Sequence, residues 1–131
     1  MASSIFLVAV GGALGSVARY LSSLALARWF GETFPWGTLF VNVAGSFIIG
    51  FYFILTAPNG RLLVSPDWRI FITVGICGGF TTFSSFSLQT LLLLRDGQLL
   101  LAGLNAIGSF TLCLAAVWLG VFCASALNAR A

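Results

Sequence analysis

The spacing of charge along this chain leaves it few ways to fold. Its 131 residues include nine charged side chains, Arg19, Arg28, Glu32, Arg61, Asp67, Arg69, Arg95, Asp96 and Arg130, which leave charge-free windows at 33–60, 70–94 and 97–129. A further window at 1–18 continues past Arg19 into the apolar YLSSLALA. A membrane-spanning helix needs about 20 consecutive, mostly apolar residues. The four windows therefore read as four transmembrane helices in one domain. Composition agrees: 7% of residues are charged and 60% hydrophobic, against roughly a quarter charged in soluble chains. The fold class is an all-α integral membrane protein.

The residue types that are missing exclude much chemistry. Histidine is absent, which removes imidazole acid–base catalysis and histidine-based metal sites. A formal charge of +3 spread over the chain makes no basic face for nucleic acid. Cys77, Cys113 and Cys123 lie in apolar runs with no C-x-x-C pair, and read as small apolar side chains. No basic segment precedes the first apolar run, which therefore reads as a span and not as a cleaved signal peptide.

Local signals set the boundaries at about 3–29, 36–57, 67–94 and 98–127. Pro35 precedes the second helix, and Pro58-Asn59-Gly60 ends it. Ser65, Pro66 and Asp67 form a helix start: an N-cap, a proline at the first position and an acid in the first turn. The short Arg95-Asp96-Gly97 link makes the third and fourth helices antiparallel neighbours. Trp29, Trp36 and Trp68 fall at predicted helix ends, where the bilayer interface favours indole rings.

With four spans, the N-terminus, the loop at 58–66 and the C-terminus share one side. That side carries Arg61, Arg130 and, at a helix edge, Arg69; the other carries Arg28 and Arg95. Three against two is almost no bias, so the positive-inside rule has little to act on. Such a balance suits a protein that inserts both ways and pairs antiparallel. A short chain with few charges also gives it by chance.

Polar groups in hydrocarbon are costly and each needs a reason. Gly11-x-x-x-Gly15 in the first helix permits close approach of another helix. Arg19 in the same helix is either an interfacial snorkeller or an anion-attracting charge at the mouth of a pore. Thr38, Asn42 and Ser46 recur every four residues, on one face of the second helix. An amide there bridges helices or donates to an anion. Asn105, Ser109 and Cys113 repeat the pattern in the fourth helix.

The third helix holds the most unusual run, Gly75-Ile-Cys-Gly-Gly-Phe80-Thr-Thr-Phe-Ser-Ser-Phe86-Ser87. Its glycines predict a break at mid-membrane. Non-helical backbone persists there only where protein or an ion satisfies the freed carbonyls, as broken transporter helices do with Na⁺. Phe80, Phe83 and Phe86 recur every three residues and predict a ring ladder on one face. Ring edges carry partial positive charge, although such stripes usually serve packing. Glu32, Asp67 and Asp96 all fall at predicted ends, which favours passive conduction over proton-coupled transport.

GGFTTFSSFS in the third helix, GTLFVNVAGS in the second and GGALGSVARY in the first closely resemble the small bacterial fluoride channels of the Fluc (CrcB) family, over the whole chain. The resemblance implies an antiparallel, dual-topology homodimer in the bacterial cytoplasmic (inner) membrane, with two fluoride pores along the subunit interface. It implies passive export of cytoplasmic F⁻, which limits fluoride toxicity, and no enzymatic activity. It implies a structural, non-transported Na⁺ at the dimer centre, held by backbone carbonyls of Gly78 and Thr81. The pore positions it implies are Phe83, Phe86, Asn42 and Thr38, with Ser109 and Cys113 on the polar track of the fourth helix and Arg19 at the vestibule. Cys113 stands where the family often has Ser or Thr, and the Asn105 position is variable.

Two rivals share the four-span plan. A small multidrug exporter usually depends on a membrane-embedded glutamate, which this chain lacks. A structural subunit would need only glycine-rich packing faces. A membrane enzyme is disfavoured, since no nucleophile–base pair or metal cluster is visible.

Overall fold

A computed structural model describes residues 2–129 as helices joined by short turns. The helices are α1 (Ala2–Phe30), α2 (Trp36–Leu55), α3 (Pro66–Ile70), α4 (Gly78–Phe80), α5 (Phe83–Arg95) and α6 (Leu99–Asn128). A wider, π-helical stretch at Phe71–Cys77 joins α3 to α4. Taking Pro66–Arg95 as one unit, four helices among the described residues are long and apolar enough to cross a membrane. Arg130, used in the charge count above, lies outside the described residues.

The start signal at Ser65 works as its chemistry requires. Its backbone is extended, its hydroxyl accepts the Trp68 N–H (3.4 Å), and Pro66 and Asp67 occupy the first turn. The second helix stops at Leu55, two residues before the sequence boundary. Thr56 turns its hydroxyl onto the Tyr52 carbonyl (2.7 Å), and residues 57–60 close a turn through Gly60 N–H to Ala57 O (2.7 Å). The link between α5 and α6 turns at Gly97, whose φ of +74° favours glycine.

Hydrogen bonds tie one end of the bundle together. Ser4 at the start of α1 donates to Asp67 of α3 (3.0 Å), and the Arg61 N–H donates to Asn128 Oδ1 at the end of α6 (3.0 Å). Arg69 donates to the Phe53 carbonyl (3.1 Å) and lies 4.4 Å from the Phe53 ring centre.

Small residues set how closely the helices pack. A Cβ on Gly15 would collide with the Ile76 carbonyl and sit 2.8 Å from the Phe80 nitrogen; one on Gly79 would collide with the Gly12 carbonyl. The partner of the first helix's glycine face is thus the interrupted third span. Bulky side chains such as Ile5, Phe6, Leu100 and Phe122 point outward. Val41 and Asn105 are the largest fully buried ones among the described residues. An apolar exterior over a small core suits lipid and not water.

Candidate functional site

The third span is interrupted at Thr81 and Thr82, both extended (φ −85°, ψ 157° and φ −155°, ψ 114°). An uninterrupted helix would give the Thr82 N–H to the Gly78 carbonyl and the Ser85 N–H to the Thr81 carbonyl. Side chains take both donors instead. The Thr82 N–H donates to Asn42 Oδ1 (2.7 Å), and the Ser85 N–H donates to the Thr82 hydroxyl oxygen (3.2 Å). The Asn42 amide also donates one N–H to the Thr82 carbonyl (3.1 Å). Asn42 therefore bridges α2 to the interruption through two bonds and keeps a second N–H uncommitted.

These groups open into a cleft of about 770 Å³ between α2, the third span and α6. Asn42 and Ser46 line it from α2, Gly78, Thr81, Phe83 and Phe86 from the third span, and Ser109 and Cys113 from α6. No charged side chain is among its lining residues. Phe83 and Phe86 form a tilted pair, ring centres 5.5 Å apart at 45°. Phe83 is 78% exposed.

One sequence expectation needs correction here, and three further candidates lie apart from the cleft lining. The ladder of three rings does not form. The extended Thr81-Thr82 pair turns the chain between Phe80 and Phe83, so Phe80 lies toward Gly45 of α2 while the other two rings enter the cleft. Thr38 is buried and outside the cleft. Arg19 also lies outside it and reaches its own helix's Ser16 (3.5 Å). Asn105 shares a helix face with Ser109 but is fully buried. It donates to the Thr90 hydroxyl (2.8 Å), so it faces α5.

Two residues that matter here are absent from the sequence-based set. Thr82 is the N-cap of α5, and Thr-x-x-Ser after a glycine-rich run is a readable cap signal. Thr90 gave no signal, because its role depends on α6 lying beside it.

The cleft combines a few amide and hydroxyl groups with two aromatic rings in a mostly apolar wall free of formal charge. That chemistry can partly replace the hydration of a small anion without trapping it. The carbonyls freed at the interruption, those of Gly78 and Thr81 among them, supply oxygen ligands of the kind that hard cations take.

Comparison with known proteins gives a family and close relatives. Residues 6–121 match the family model described as CrcB-like protein, Camphor Resistance (CrcB). The fluoride-specific ion channel FluC of Opitutus terrae is 63% identical over 121 residues, 92% of each chain. The same-named protein of Paramagnetospirillum magneticum is 57% identical over 122 residues, 93% of this chain and 95% of the relative. That of Rhodospirillum rubrum is 55% identical over 113 residues, 86% and 88% of the two chains.

Proposed function

The chain belongs to the CrcB-like family, a family of ion channels and not of enzymes, and from that premise we propose that it is a passive, fluoride-selective channel. The observation that carries this reading is the cleft. It lines up Asn42, Ser109 and the Phe83–Phe86 pair with no acid or base among them. Fluoride is small and strongly hydrated, so a dry apolar path would exclude it. The free N–H of Asn42 supplies one donor, and the ring edges supply a positive potential of modest strength. Ser109 adds a hydroxyl and Cys113 a weaker thiol donor. With no fixed cation in the wall, binding stays weak enough for release.

A cleft whose mostly apolar wall carries a few donors, open along one flank of a membrane protein, needs a cover, because lipid cannot satisfy those donors. The cover we propose is a second copy of the chain, inserted antiparallel, as the nearly even arginine distribution permits. Ile107 and Phe110, both exposed and lining the cleft, would then meet protein. In this homodimer a Na⁺ would be held by the Gly78 and Thr81 carbonyls, whose helical donors are diverted to side chains. Its charge would fix the interruption electrostatically, without being transported. In a bacterial cytoplasmic membrane the channel would let F⁻ leave passively.

The test is F⁻ efflux from liposomes carrying the purified protein, with Cl⁻ for comparison. Rapid F⁻ efflux with Cl⁻ retained is the expected result. Equal efflux of both ions would overturn the fluoride assignment, and no efflux would overturn the channel itself.

A further inference from the structure

Six hydroxyl groups in this protein share one kind of partner. Thr56, Thr73, Thr81, Ser87, Thr90 and Thr111 each donate to the carbonyl four residues earlier, at 2.7 to 2.9 Å. This is a common arrangement for Ser and Thr inside a helix. It consumes the one proton that a hydroxyl has to offer.

Ser109 departs from it. Its hydroxyl donates to the side-chain oxygen of Asn105, four residues earlier, over 3.4 Å. A bond of that length is weak. The amide cannot turn its nitrogen toward Ser109 without cost. The Thr90 proton is already given to the Phe86 carbonyl (2.8 Å), so Thr90 can only accept from Asn105 (2.8 Å). That bond holds the Asn105 oxygen toward Ser109. Asn105 itself is fully buried and does not line the cleft, whereas Ser109 does.

We propose that Asn105, locked by Thr90, is a positioning residue for conduction. It diverts the Ser109 hydroxyl from the helix backbone and keeps its proton loosely held, ready to be given to an anion in the cleft. The inference rests on the fluoride-channel reading and adds a residue that touches no ion. Without Asn105, Ser109 falls back onto the carbonyl of residue 105 at the short distance its neighbours show, and its donor is spent.

The experiment measures F⁻ current against F⁻ concentration in bilayers. It compares the unmodified protein, Asn105→Ala, Ser109→Ala and the double variant. Asn105→Ala is expected to raise the half-saturating F⁻ concentration about five-fold, the scale of one neutral hydrogen bond. In the Ser109→Ala background it should cause no further shift. Thr90→Val removes the lock while keeping side-chain shape. It should cause a smaller shift in the same direction, about two-fold and equally dependent on Ser109, and it decides the matter if Asn105→Ala does not reconstitute. Equal effects with and without Ser109 would show that Asn105 only braces α5 against α6, which overturns the proposal. Unchanged half-saturation in the single variants overturns it too. Absence of F⁻ current in the unmodified protein would instead overturn the channel reading beneath it.

Discussion

The two sides of the third span are built on different principles. Toward α1 it meets glycine with glycine: Gly15 lies against Ile76 and Phe80, and Gly79 against Gly12, so closely that neither accepts a Cβ. Toward α6 the same stretch stands back, touching α2 at Thr81 and Thr82, and leaves a cleft of about 770 Å³ whose mostly apolar wall carries a few donors and two rings. Gly78, one residue from Gly79, faces that cleft, and a Cβ there would meet nothing within 4 Å. Adjacent glycines thus serve opposite ends. One brings backbones together, while the other leaves space and access to a carbonyl.

Substitution can break the contrast most directly. Gly15→Leu drives a side chain into backbone that cannot yield, and overpacking typically costs about 1–3 kcal/mol. The expected result is loss of the folded protein, read by size-exclusion profile and thermal unfolding in detergent. Gly78→Ala should leave the same measurements nearly unchanged. If both variants behave alike, the closed seam and the open cleft are not distinct.

On the open side, Phe83→Ile and Phe86→Ile retain bulk and remove the positive ring edge. Liposome F⁻ efflux should fall by tenfold or more with helicity intact. Unchanged efflux in both would put the path outside the cleft.

Asn42 connects the cleft to the interruption, so its variants should act on flux and stability together. Asn42→Asp keeps an acceptor for the Thr82 N–H but loses the donor to the Thr82 carbonyl and repels an anion. Asn42→Ser is too short to bridge, and its hydroxyl is free to turn to its own backbone. Efflux should therefore be lower in Asp than in Ser, while both unfold more easily by about 1–3 kcal/mol, the cost of an unmade buried bond. A stability loss without any flux loss would reduce Asn42 to a helix bridge.

Replacing Na⁺ by a large organic cation should lower dimer stability and flux, measured by cross-linking and efflux. Identical values in the two salts would remove the Na⁺ from the Gly78 and Thr81 carbonyls. The smallest effect is expected at Arg19, which lies outside the cleft. Arg19→Gln should slow efflux only modestly, and mainly at low ionic strength where its charge is least screened. A large, salt-independent loss would place it on the conduction path.

Much of this organisation is written in the order of residues. Charge spacing delimits three of the four spans and opens the first, which runs on past Arg19, since a charged side chain in hydrocarbon is costly and a run of about 20 apolar residues has no cheaper place. Ser65-Pro66-Asp67 starts a helix wherever it stands, because its bonds close within one turn. Asn42, Phe83, Phe86 and Ser109 were legible as candidates from helical spacing and from resemblance. What the sequence could not determine is direction. A four-residue repeat puts Asn105 and Ser109 on one face, yet one contacts α5 and the other lines the cleft, and only the packing of α6 against Thr90 separates them. A three-residue repeat aligns three phenylalanines only if the helix continues. Where it stops, Asn42, 40 residues away, takes the Thr82 N–H that the helix would have used. Local pattern fixes where a side chain sits on its own helix. Which surface that helix face meets depends on long-range bonds that exist only once the helices are assembled.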